Sequence, residues 1–178
     1  MDYEYERNGT GNGFMFVEPL RGWRKANITD RRTRCDWAGQ IKELVDVHYP
    51  KAGKITLVQD NLNTHHPSSL YEAFAPAEAR RLIDKFEIVY TPKHGSWLNI
   101  AEIELGVLNR QCLAERIGEK TELVLNVSDW EDRRNGETAK IDWQFTTADA
   151  RIKLHRLYPK LWLYRGRCPR LLSLSLSG

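Results

Sequence analysis

Ile55-Thr56-Leu57-Val58-Gln59-Asp60-Asn61-Leu62-Asn63-Thr64-His65 is the stretch that decides the fold. Its apolar start is short enough for a strand, and the polar cluster that follows ends it. Read as a buried strand over 54–58, it delivers Asp60 at its carboxyl end, where α/β sheets gather ligands. A second stretch, Thr91-Pro92-Lys93-His94-Gly95-Ser96-Trp97-Leu98-Asn99-Ile100-Ala101-Glu102, reads as an extended segment and tight turn opening a helix. Two carboxylates on neighbouring elements, with Asn61, His65 and Asn99 beside them in sequence, supply the oxygen donors that a hard divalent cation takes.

Each residue also has a plainer reading. Asp60 suits an N-cap or Asx turn after a strand. His65 suits a hydrogen-bonded turn, and Glu102 a salt bridge to Arg or Lys. At about 100° per residue, Leu98, Ala101, Leu105, Leu108 and Cys112 form one apolar arc on the helix expected over 97–113. Glu102 falls on the side of that arc and Glu104 at its edge, so Glu102 is expected to face the sheet. A carboxylate there is costly unless it is paired or bound to metal.

Working outward, Gly9-Thr10-Gly11-Asn12-Gly13 is a turn before the apolar strand Phe14-Met15-Phe16-Val17. Leu20-Arg21-Gly22 is a second turn, and the stretch 23–28 should pair back as a hairpin. The glycines lack a lysine and serine or threonine at phosphate-loop spacing. Thr33 or Asp36 can cap a helix to about Val47, with Trp37, Ile41, Leu44 and Val45 on one face. Ser68-Ser69 should cap a helix through Phe74, and another should start near Pro76 and run through Ile83. Residues 86–90 alternate as a strand, and a last helix is expected over about 121–134. The order strand, strand, helix, strand, helix, strand, helix is α/β, a hairpin first and a parallel portion later.

The 178 residues are 41% hydrophobic and 29% charged, as in ordinary globular domains. A net charge of +3 permits a polyanionic partner without requiring one. No apolar run approaches the roughly 18 residues of a membrane span. The acidic start Met1-Asp2-Tyr3-Glu4 is neither a secretory signal nor a transit peptide, so the expected compartment is the cytoplasm. Cys35, Cys112 and Cys168 are odd in number and scattered, which supports neither a zinc knuckle nor a disulfide framework.

VQDNLNTHH (58–66) followed by YTPKHGSWLNIAEIEL (90–105) resembles bacterial insertion-sequence transposases of the DDE superfamily, in the branch related to mariner elements. IDWQFTTADARIKLHRLYP (141–159) is similar to the end of such proteins. The resemblance implies an RNase H-like mixed sheet flanked by helices, in which three carboxylates hold two Mg²⁺ or Mn²⁺ ions. Those ions serve in-line attack on a DNA phosphodiester. Carried over, Asp60 matches the second acidic ligand and Glu102 the third. The first catalytic Asp belongs to a first strand that no residue before Phe14 supplies, and Asp2 stands too near the terminus. The family's helix-turn-helix region is likewise missing.

The expectation is therefore a truncated catalytic domain over 1–159, lacking its first strand, and a divergent, poorly ordered tail over 160–178. Strand cleavage by this chain alone is not expected. Its alternative role is a non-catalytic DNA-binding or transposase-pairing fragment, acting as a homo-oligomer or with an intact subunit. Of the basic residues, Lys93, His94, Arg31 and Arg32 are the expected phosphate contacts. Trp97 suits base stacking or packing at the helix start, and Trp130 and Trp143 suit the core.

Overall fold

A computed structural model of the chain describes residues 10–91, 99–142, 144 and 146–153. Strands β1 (Asn12–Glu18) and β2 (Trp23–Thr29) form an antiparallel hairpin in which Phe14 faces Asn27 and Phe16 faces Lys25. Gly22 closes the turn at φ 71°, donating its N–H to the Glu18 carbonyl at 2.9 Å. A Cβ there would sit 2.5 Å from the Thr138 carbonyl oxygen, so the turn requires glycine for both conformation and space.

Helix α1 (Arg34–Glu43) opens on a capping box that settles the choice of cap: Thr33 is the N-cap and Asp36 its N3 partner. A single π-helical turn (Leu44–His48) prolongs it, closed by Tyr49 N–H on the Leu44 carbonyl. Trp37, Ala38, Ile41, Leu44 and Val45 form its buried face, as the sequence spacing requires. Strand β3 (Ile55–Gln59) pairs in parallel with β4 (Phe86–Tyr90), with Val58 opposite Val89. The connection carries α2 (Ser68–Ala73) and α3 (Pro76–Asp84), the latter with proline in its first turn. The expected serine cap on α2 is not made. Pro67 occupies the N-cap, and the buried Ser69 hydroxyl donates to the Thr64 carbonyl at 3.0 Å, tying down the preceding loop.

Helix α4 (Ile100–Gln111) leads to α5 (Lys120–Gly136). Phe14 and Phe16 of the hairpin pack with α1, α2 and α3 in one core, whereas Met15, Ala26 and Ile28 pack with α4 and α5 in another. The hairpin is thus the middle layer. Its outer edge is covered by α5: Asn135 exchanges two 2.8 Å hydrogen bonds with the Arg24 backbone, and Glu131 accepts the Ala26 N–H at 2.7 Å. Side chains here satisfy the edge groups that would otherwise invite another strand. Helix α6 (Thr147–Lys153) belongs to a second compact unit, Gln144–Gly178, the first being Met1–Trp143. Trp143, the 159/160 boundary and the tail lie outside the described residues.

Three expectations need correction. The expected mixed sheet takes the form of two separate two-stranded ribbons among the described residues, one antiparallel and one parallel. Residues 15–18 of β1 and 55–58 of β3 line one cavity of about 590 Å³, and among the described residues no strand lies between them. Strand β3 is buried on one side only: Val58 and, opposite it, Val89 are about half exposed, because no helix of the described residues covers that face.

The third correction concerns α4. Glu104, not Glu102, is the carboxylate turned into the protein, at 1% exposure, while Leu105 of the expected apolar arc is partly open. The cause is charge. Arg24 Nε lies 2.9 Å from Glu104, off the hydrogen-bond direction, and Arg134 Nε donates to it at 2.8 Å. Two arginines from β2 and α5 draw the carboxylate in, and the helix rotates with it.

Candidate functional site

Asp60 follows the last residue of β3, and the next turn is built to hold it. Gln59 is buried, and its Nε2 donates to the His65 carbonyl at 2.6 Å. His65 N–H bonds the Leu62 carbonyl at 2.9 Å. The loop therefore curls back and sets the His65 imidazole against the carboxylate, Nδ1 to Asp60 Oδ1 at 2.7 Å. The ring stacks on Trp37, with centroids 6.0 Å apart and planes 23° apart, and tilts against Phe14 at 6.5 Å. Helix α2 starts too late for Asp60 to cap it, so the N-cap reading is excluded. The turn-histidine reading holds, with Asp60 as the partner.

Glu102 arrives on the first turn of α4. Asn99 is that helix's N-cap, its Oδ1 accepting the Ala101 N–H at 3.2 Å, and Glu102 N–H bonds the Asn99 carbonyl at 3.0 Å. The carboxylate is exposed and sits where the helix dipole favours negative charge. Its side chain has no ion pair or hydrogen bond among the described residues; the salt bridge considered for it belongs to Glu104 two residues on.

Asp60 and Glu102 line one cavity of about 280 Å³, together with His65, Asn99, Arg32 and Leu105. Of the residues singled out in sequence, Asp60, Glu102, His65, Asn99 and Arg32 are thus brought together. Asn61 and Arg31 are exposed and do not line this cavity. Lys93, His94 and Trp97 lie outside the described residues. Sequence reasoning missed Trp37 and Phe14, the two rings that clamp His65. Their apolar spacing marked them as core, and nothing in it pairs them with a histidine. Gln59 was also missed, a buried amide at a strand end whose polar position was the available signal.

No three His, Cys, Asp or Glu side chains among the described residues are grouped to hold a metal ion. The donors that are present still fit a hard cation in part. Mg²⁺ keeps several waters and is often bound by one or two carboxylates plus substrate phosphate oxygens. Two acidic oxygen donors on a cavity with an arginine at its wall match that description.

Two carboxylates thus open on one cavity beyond a parallel strand's end, the place where α/β sheets gather ligands. Comparison with family models makes the assignment: the model described as DDE superfamily endonuclease matches residues 1–124. The chain belongs to that family. No curated protein and no solved structure matches it significantly. No helix of the described residues is long and apolar enough to cross a membrane.

Proposed function

We propose that this chain is the catalytic-domain portion of a DNA transposase, of the bacterial insertion-sequence type related to mariner elements. In this reading its architecture is RNase H-like, and the chain works in the cytoplasm on transposon and target DNA. One observation carries the proposal: Asp60 and Glu102, from separate elements, open on the same cavity. Bound between them, Mg²⁺ or Mn²⁺ would supply a Lewis acid for a phosphoryl oxygen and a more acidic bound water. The chain's own residues do the rest. Asp60 and Glu102 hold charge at the reacting phosphodiester, and Arg32 pairs with a non-bridging phosphate oxygen. Asn99 fixes the start of α4 and with it the direction of Glu102. Lys93, His94 and Arg31 extend the phosphate contacts along the duplex.

Two carboxylates among the described residues fall short of the three that a two-metal centre shares. The chain alone is therefore expected to bind cation and DNA without cutting. Its partners would be a second copy or a complete transposase subunit. The test is a duplex-binding series across salt, run beside a nicking assay with Mg²⁺ or Mn²⁺. Affinity should fall as salt rises, and Arg32→Ala should lower the salt slope by about 1. Absence of DNA binding at low salt would refute the proposal. Metal-dependent nicking that disappears in Asp60→Ala would refute the claim that the site is incomplete.

A further inference from the structure

We propose that His65 is the positioning residue of this site, holding Asp60 so that one carboxylate oxygen is committed and the other is presented to the cavity shared with Glu102. The inference concerns how the site is held, and its metal half rests on the proposed function above.

The geometry fixes the chemistry of the contact. An ionised carboxylate only accepts, so Nδ1, 2.7 Å from Asp60 Oδ1, must carry the proton. Nε2 is buried and has no hydrogen-bond partner among the described residues. A second proton there would leave a buried donor unsatisfied, which costs more than a bare lone pair against apolar rings. His65 is therefore the Nδ1–H tautomer, with its free nitrogen turned to packing.

The ring is also closely packed. Trp37 stacks on it and Phe14 leans against it from β1. Its backbone is tied at both ends, the N–H to Leu62 and the carbonyl to Gln59. A donor fixed this firmly sets the carboxylate's direction. Asp60 is about one-third exposed and would otherwise sample several rotamers. An outer-shell partner that fixes a ligand typically changes metal affinity by about 10–100-fold when removed.

The experiment uses the whole chain and two readouts. The first is the ¹⁵N spectrum of the histidine rings, recorded well above the ordinary histidine pKa of about 6.5. His65 should show a protonated Nδ1 and a bare Nε2, and Asp60→Ala should abolish that preference. The second is Mn²⁺ affinity by calorimetry. His65→Phe keeps the stacked ring and removes the donor, so affinity should fall at least about tenfold. His65→Asn places an amide N–H near the Nδ1 position, and affinity should return toward that of the unaltered chain.

If the unaltered chain takes up no Mn²⁺, the proposed function fails while the tautomer measurement still decides the Asp60–His65 contact. An Nε2–H tautomer, or His65→Phe binding Mn²⁺ as well as the unaltered chain, would overturn the positioning role. Should His65→Phe fail to fold, the tautomer and the His65→Asn affinity remain decisive: an Nε2–H ring, or an Asn variant that loses Mn²⁺ binding while melting normally, overturns the inference.

Discussion

Replacing Glu104 with glutamine separates the structural carboxylate of α4 from the functional one. Glu104 is 1% exposed, between Arg24 at 0% and Arg134 at 15%. Glutamine keeps the volume, so no cavity forms and the loss is electrostatic. Arg134 can turn toward solvent and retains its place 5.6 Å over the Trp130 ring. Arg24 cannot, and its remaining acceptor is the Ala139 carbonyl at 2.6 Å from Nη2. Breaking a buried pair from one side costs about 3–5 kcal/mol, because a charge is left uncompensated. For a domain of this size each kcal/mol moves Tm by about 2–4 °C, which predicts a fall of roughly 6–20 °C for Glu104→Gln. Glu102→Gln is exposed and should stay within about 0.5 kcal/mol. Arg24→Met combined with Glu104→Leu should recover most of the loss, since both buried charges leave together. Urea and thermal denaturation measure all three. Equal, small effects of Glu104→Gln and Glu102→Gln would refute the reasoning, and with it the assignment of roles on α4.

Other consequences follow from single contacts. Asn99→Ala removes the cap of α4 and should cost about 1 kcal/mol in denaturant titrations, while loosening Glu102 enough to weaken cation binding. Gly22→Ala should cost about 1–3 kcal/mol, because positive φ and the Thr138 carbonyl both oppose a Cβ, and the loss will appear as a lowered Tm. Hydrogen bonds from Arg81 and then Lys42 hold the Glu78 carboxyl down to about 2, and Lys42 and Arg81 lower Asp46 likewise. A depressed carboxylate pKa stabilises the fold above the unfolded value near 4.3 and stops doing so as pH falls toward 2. Glu78→Gln should therefore flatten the acid limb of a stability–pH curve, and added salt should shrink the difference.

Much of the fold could be read directly because local chemistry and tertiary packing agreed. Pro19 and Gly22 bracket the hairpin turn, Thr33 and Asp36 start α1, and Pro76 starts α3; each acts within a few residues of itself. Trp37, Ile41, Leu44 and Val45 recur at helical spacing and do face one core. The misreadings arose where distant charge or missing cover decided the outcome. Ala101, Leu105 and Leu108 gave α4 an inner face by spacing, yet Arg24 and Arg134 turned it to bury Glu104. Residues 55–58 look like a strand covered on both faces, but Val58 is open because no element among the described residues lies over it.

The candidate site was legible in outline through Asp60, Glu102, His65, Asn99 and Arg32, which the fold gathers around one cavity. The clamp on His65 was not. Trp37 and Phe14 reach it only after α1 and β1 pack together, a relation that no local spacing encodes.

The most direct measurement is a Mn²⁺ titration followed by electron paramagnetic resonance on the unaltered chain, Asp60→Asn and Glu102→Gln. Sharing of one ion by the two carboxylates predicts saturable uptake that either substitution alone weakens by an order of magnitude or more, with both variants still folded. Uptake that survives loss of either side chain unchanged, or no uptake by the unaltered chain, would contradict it.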